Sequence, residues 1–133
     1  MADYKDCLEL AGAEVLAYET FGSYQGDWWA KVKFNDREGF VHGYYGSCSG
    51  CDTLEAALRG GHDHGDDYVF YFEEYVQHPE CPTCCERVEA ARNIGKDYLD
   101  DIIEFESAIA KAKENEDWDM DAKAMVNWLE ANE

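Results

Sequence analysis

Residues 28–34 alternate strictly, with Trp28, Ala30, Val32 and Phe34 on one side and Trp29, Lys31 and Lys33 on the other. A period of two is the mark of a half-buried β-strand. Residues 13–21 are rich in β-forming types, and residues 39–45 make a third apolar, aromatic run. Between these runs lie Gly22-Ser23-Tyr24-Gln25-Gly26 and Asn35-Asp36-Arg37-Glu38, both with the small and polar residues that tight turns need. The pattern predicts an antiparallel three-strand β-meander.

From Asp52 the period changes. Asp52-Thr53-Leu54-Glu55 matches a helix N-cap with an acid three residues on, and Gly60-Gly61 supplies a stop. Residues 62–67 read as a polar loop. Residues 68–76 (YVFYFEEYV) fit a strand or a buried helix equally, since a short apolar run carries no decisive period. Helix is expected over 84–93, and again where Tyr98, Ile102, Phe105 and Ile109 recur at helical spacing. A last helix, marked by Ala122, Met125, Val126 and Leu129, is expected to start near Asp119, with Asp117 or Asp119 as its N-cap. The fold class is therefore α+β, a three-strand meander followed by three to four helices. We read 1–133 as a single domain, with a β-meander part over 1–51 and a mainly helical acidic part over 52–133.

Composition sharpens this picture. Hydrophobic residues make up 46% and aromatics 14% of the 133 residues, enough for a packed core and unlike an acidic disordered tail. Yet the chain holds 30 acids against 11 Lys and Arg, a formal charge of −19. The charge is lopsided: residues 1–62 carry ten acids and five bases, residues 63–133 twenty acids and six bases. Such a field repels nucleic acid and anionic membranes and attracts basic surfaces. It disfavours direct nucleic-acid binding, even though Lys31 and Lys33 interleave with aromatics, because little counterion release is available. The first ten residues include Asp3, Lys5, Asp6 and Glu9 without an apolar core, and no stretch approaches a membrane span; a cytoplasmic protein is expected.

Six cysteines bear on chemistry. Cys48-Ser49-Gly50-Cys51 and Cys81-Pro82-Thr83-Cys84 are two CxxC pairs, which point to a structural Zn²⁺ held by Cys48, Cys51, Cys81 and Cys84. Two intervening residues let both sulfurs reach one tetrahedral ion at about 2.3 Å. The 29 residues between the pairs exceed the usual span of about 15–20. The alternative is that these cysteines are buried thiols, as free cysteine often is. A redox role for Cys48 and Cys51 is opposed by the neighbouring Asp52 and the general negative field, both of which disfavour a thiolate. His62-Asp63-His64-Gly65-Asp66-Asp67 gathers metal-ligand types but reads first as a solvated loop. Asp117, Asp119 and Asp121 imitate a calcium loop, yet Ala122 and Trp128 stand where its Gly and bidentate Glu belong. No nucleophile elbow, P-loop or dinucleotide fingerprint is present, so nothing in the sequence speaks for catalysis.

Two surfaces are expected to meet a partner. Asp97, Asp100, Asp101, Glu104 and Glu106 would form a negative row on a helix, with neighbours about 5–6 Å apart. Trp28, Trp29, Tyr44 and Tyr45 would form an aromatic patch. The runs Gly22-Ser23-Tyr24-Gln25-Gly26-Asp27-Trp28-Trp29-Ala30 and Gly43-Tyr44-Tyr45-Gly46-Ser47-Cys48-Ser49-Gly50-Cys51-Asp52, with Glu116-Asp117-Trp118-Asp119 and Trp128-Leu129-Glu130, resemble small acidic proteins of phages and mobile elements. That resemblance implies an anti-defence setting in a bacterial host's cytoplasm, such as anti-CRISPR or anti-restriction. Together these features favour a non-enzymatic inhibitor that imitates nucleic acid and occupies the basic groove of a host nucleic-acid-binding enzyme. The alternatives are a zinc-stabilised adaptor that uses the aromatic patch, and a small metal- or thiol-dependent enzyme.

Overall fold

A computed structural model describes residues 4–22, 26–46, 62–63, 68–69, 80–114 and 121–133. The elements run α1 (Tyr4–Leu10), β1 (Glu14–Gly22), β2 (Gly26–Phe34), β3 (Arg37–Tyr45), β4 (His62–Asp63), β5 (Tyr68–Val69), α2 (Pro82–Leu99), α3 (Phe105–Lys113) and α4 (Ala122–Ala131). The predicted meander forms as an antiparallel sheet in the order β1-β2-β3, and helices follow it. Asn35 and Asp36 both take positive φ, 50° and 66°, as a two-residue turn between strands of right-handed twist demands.

Helix α1 was not anticipated from the pattern. It stops at a Schellman arrangement: the Ala13 N–H donates to the Leu8 carbonyl at 3.1 Å, the Gly12 N–H to the Glu9 carbonyl at 3.0 Å, and Gly12 has φ 105°. The helix buries Tyr4, Cys7 and Leu8.

The sheet is covered on both faces, and this decides the core. On one face Trp28, Ala30, Val32 and Val41 pack with Tyr4, Cys7 and Leu8 of α1 and with Ala91 and Leu99 of α2. On the other, Phe21, Trp29 and Phe40 pack with Ala108 and Ala112 of α3 and Met125, Val126 and Leu129 of α4. Tyr4 stacks on Trp28 at 5.1 Å between ring centroids, and Tyr98 meets the same indole edge-on at 4.9 Å. Gly43 makes room for that ring, since a Cβ there would lie 2.5 Å from the indole.

Tyr98, Ile102, Phe105 and Ile109 do not share one helix. Helix α2 ends at Leu99 and α3 begins at Phe105. Between them Ile103 and Phe40 exchange backbone hydrogen bonds, each 2.9 Å, so the chain runs briefly as a further edge beside β3. Ile102 turns into the first core and Ile103 packs against the second. The break has a physical cause: the chain must pass from one face of the sheet to the other, and an extended segment sends successive side chains to opposite faces.

Smaller differences concern ends. Helix α2 begins at Pro82 and continues through Gly95, well beyond the expected 84–93. The N-cap of α4 is Asp121, without a side-chain capping bond. The earlier acids, Asp117 and Asp119, lie outside the described residues, as does the helix expected over 52–60. The expected polar loop over 62–67 opens with a strand: β4 pairs antiparallel with β5, which also resolves the start of the 68–76 run as strand.

Candidate functional site

The five acids expected to face a partner are all exposed. They do not form one helical row, however. Asp97 lies in the last turn of α2, Asp100 is its C-cap, Asp101 stands in the crossing segment, and Glu104 and Glu106 flank the start of α3. The resulting acidic shoulder is mounted on β3 by the Phe40–Ile103 pair and by Arg37, whose guanidinium donates to the Ile102 carbonyl at 3.1 Å. Among the described residues none of the five carboxylates is paired with a basic side chain. Glu104 and Glu106 sit where a helix N-terminus favours negative charge. Asp97 and Asp100 sit at the opposite end of an 18-residue helix, where the dipole opposes them, with Lys96 the only base in the last turn.

The aromatic patch is corrected. Trp28 and Trp29 are 0% and 1% exposed and belong to the two cores, because both faces of the sheet are covered by helices. Tyr45 is half-buried and donates its hydroxyl to the Phe21 carbonyl at 3.2 Å. Burial first, then the charges of Asp121 and Asp27, raise its pKa above the ordinary tyrosine value. Tyr44 alone stands out, at 66% exposure.

Behind Tyr44 lies a pair that sequence reasoning missed as a pair. His42 Nε2 and Asp27 Oδ2 are 2.6 Å apart across β2 and β3, with the histidine side chain 5% exposed. The imidazole rests on Trp29 at 4.5 Å and meets the ring of Tyr44 at 4.9 Å. The strand register places Asp27 and His42 diagonally on one face of the sheet, a relation readable only once the pairing is known. A shallow pocket of about 650 Å³ is lined by His42, Tyr98, Asp101, Ser107, Lys111 and Glu114. Asp27 occupies Nε2, and Nδ1 makes no hydrogen bond among the described residues, so Ser107 is not activated by this imidazole. The pair ties two strands together.

The zinc expectation is also corrected. Among the described residues no three His, Cys, Asp or Glu side chains gather as a metal site. Cys48 and Cys51 lie outside the described residues. Cys81 and Cys84, which are described, form no disulfide and pack against each other. Cys84 is fully buried against Cys81 and Val88, and burial pushes its thiol up to about 11, which opposes the thiolate that a metal requires. Cys81 is the N-cap of α2. The backbone N–H of Cys84, then the Cys84 thiol and the backbone of Thr83, favour its thiolate and outweigh desolvation, so its pKa lies below the ordinary thiol value. The HDHGDD candidate falls largely outside the described residues.

Comparison with protein-family models, curated proteins and solved structures finds no match to the chain. Among the described residues no helix is long and apolar enough to cross a membrane.

Proposed function

We propose that the chain is an acidic interaction protein that docks its α2–α3 shoulder into a basic, nucleic-acid-binding groove of a partner enzyme and so inhibits it. One observation carries this reading. Asp97 and Asp100 stand exposed and, among the described residues, without a basic partner, at the helix end where negative charge costs stability. Asp101, Glu104 and Glu106 extend the same charge along a backbone braced against β3. Charge placed where it weakens the fold is explained by a partner that offsets it. Lys and Arg side chains that hold phosphates would meet carboxylates instead, and no base-like ring is needed for that.

The test uses the full chain as bait in a bacterial lysate, followed by binding measurements on the recovered partner. The partner should also bind nucleic acid, be displaced by added duplex DNA or RNA, and dissociate as salt rises. Neutralising all five positions (Asp97→Asn, Asp100→Asn, Asp101→Asn, Glu104→Gln, Glu106→Gln) should weaken binding about tenfold, as five exposed pairs of about 0.3 kcal/mol each would. Affinity that survives both the substitutions and high salt overturns the proposal.

A further inference from the structure

The dithiol at the start of α2 has no part in that docking surface, and its geometry suits a different chemistry. Cys81 is half-exposed at the N-cap, Pro82 opens the helix, and Cys84 lies one turn in, 0% exposed and in contact with Cys81. Positions three apart on a helical path have Cα atoms about 5 Å apart, inside the range of about 4.4–6.8 Å that a disulfide spans. The two thiols are unequal in access: Cys81 meets solvent, and Cys84 is covered by Cys81 and Val88. We propose that Cys81 and Cys84 form a reversible dithiol–disulfide couple that exchanges with neutral or cationic low-molecular-weight disulfides.

The exchange balances in two steps. The Cys81 thiolate attacks one sulfur of a disulfide RSSR; the Cys81–SR bond forms, the S–S bond breaks, and one RS⁻ leaves to take up the proton Cys81 gave to solvent. Cys84 then loses its proton and attacks Cys81 Sγ, forming the Cys81–Cys84 disulfide and releasing the second RS⁻, which is protonated. The protein pair is oxidised by two electrons and RSSR is reduced to two RSH. Burial of Cys84 against Cys81 places the second nucleophile at the mixed disulfide, so the adduct is short-lived. Charge sets the choice of substrate. Glu80 and Glu86 flank the motif in sequence against Arg87, while Glu89 is paired with Arg92, and the chain as a whole carries −19, so anionic disulfides approach against the field.

The experiment treats the reduced full-length chain with hydroxyethyl disulfide (neutral), cystamine (cationic) and glutathione disulfide (anionic), then quenches and maps peptides by mass. The expected result is a Cys81–Cys84 disulfide that forms at least about tenfold faster with the first two reagents at low ionic strength, with the gap closing as salt is added. Cys84→Ser should instead accumulate a stable mixed disulfide at Cys81, while Cys85→Ser, which removes the exposed neighbour, should leave closure unchanged. Circular dichroism checks that α2 is retained. Stable adducts on Cys81 of the native chain, capture at Cys85 ahead of Cys81, or a faster reaction with glutathione disulfide would each overturn the proposal. Mapping of the unsubstituted chain decides it even if a variant fails to fold.

Discussion

The carbonyl oxygen of Cys7 lies so close to Gly95 that a Cβ on the glycine would stand 2.0 Å from it. Helices α1 and α2 touch backbone to backbone at this point, and the first core depends on that approach. An exposed helical glycine replaced by alanine gains about 0.5–1 kcal/mol. Gly95→Ala should do the opposite and lose about 1–3 kcal/mol, because neither backbone can move away without opening the core around Tyr4 and Leu8. Urea unfolding measures it; a gain in stability would show that α1 is not docked there.

Truncating the two ends of the supposed aromatic patch should separate core from surface. Trp28→Ala removes a fully buried ring that stacks on Tyr4 and Tyr18 and should cost about 3–5 kcal/mol. Tyr44→Ala removes an exposed ring and should change stability by about 0.5 kcal/mol or less. Thermal or denaturant melts of the two variants should differ by several kcal/mol; similar losses would place both rings in the same environment.

The acids at the end of α2 predict a gain on neutralisation. Asp100→Asn removes a charge at the negative end of the helix dipole and should stabilise the free protein by about 0.3–1 kcal/mol at low salt, less as salt is raised. The same substitution should weaken partner binding. A variant that is both less stable and better bound would contradict the role given to the shoulder.

Tyr45 predicts a slope at alkaline pH. Its native pKa is raised, so between the unfolded value of about 10 and the native value the folded chain keeps a proton that the unfolded chain has lost. Its contribution is complete below about pH 10 and is lost as pH rises through the native value. Tyr45→Phe should flatten this decline and leave the part due to Cys84, whose thiol is pushed up to about 11. Unfolding free energies measured on both sides of pH 10 test it; an unchanged slope would remove Tyr45 from the linkage.

Local patterns were enough for the sheet. The alternation of 28–34, the paired turn residues Asn35 and Asp36, and the helical spacing of Met125, Val126 and Leu129 each state their element within a few residues. They also marked the exposed acids, because charge needs no partner to be read as surface. The sequence could not say that Trp29, on the side of the strand that carries Lys31 and Lys33, is core. A strand records its own alternation, not whether a second helix pair will cover its polar side. Nor could helical spacing across Tyr98, Ile102, Phe105 and Ile109 reveal a break whose cause is the passage from one face of the sheet to the other. The same holds for chemistry. Two CxxC pairs suggested a metal, whereas the start of α2 makes Cys81 and Cys84 an unequal thiol pair, one reachable and one covered. Sequence by itself determined the elements and the sign of the surface, since both follow from nearest neighbours and composition. Tertiary structure alone decided which faces are buried, where the acids cluster and which sulfur meets solvent, since burial depends on residues distant in the chain.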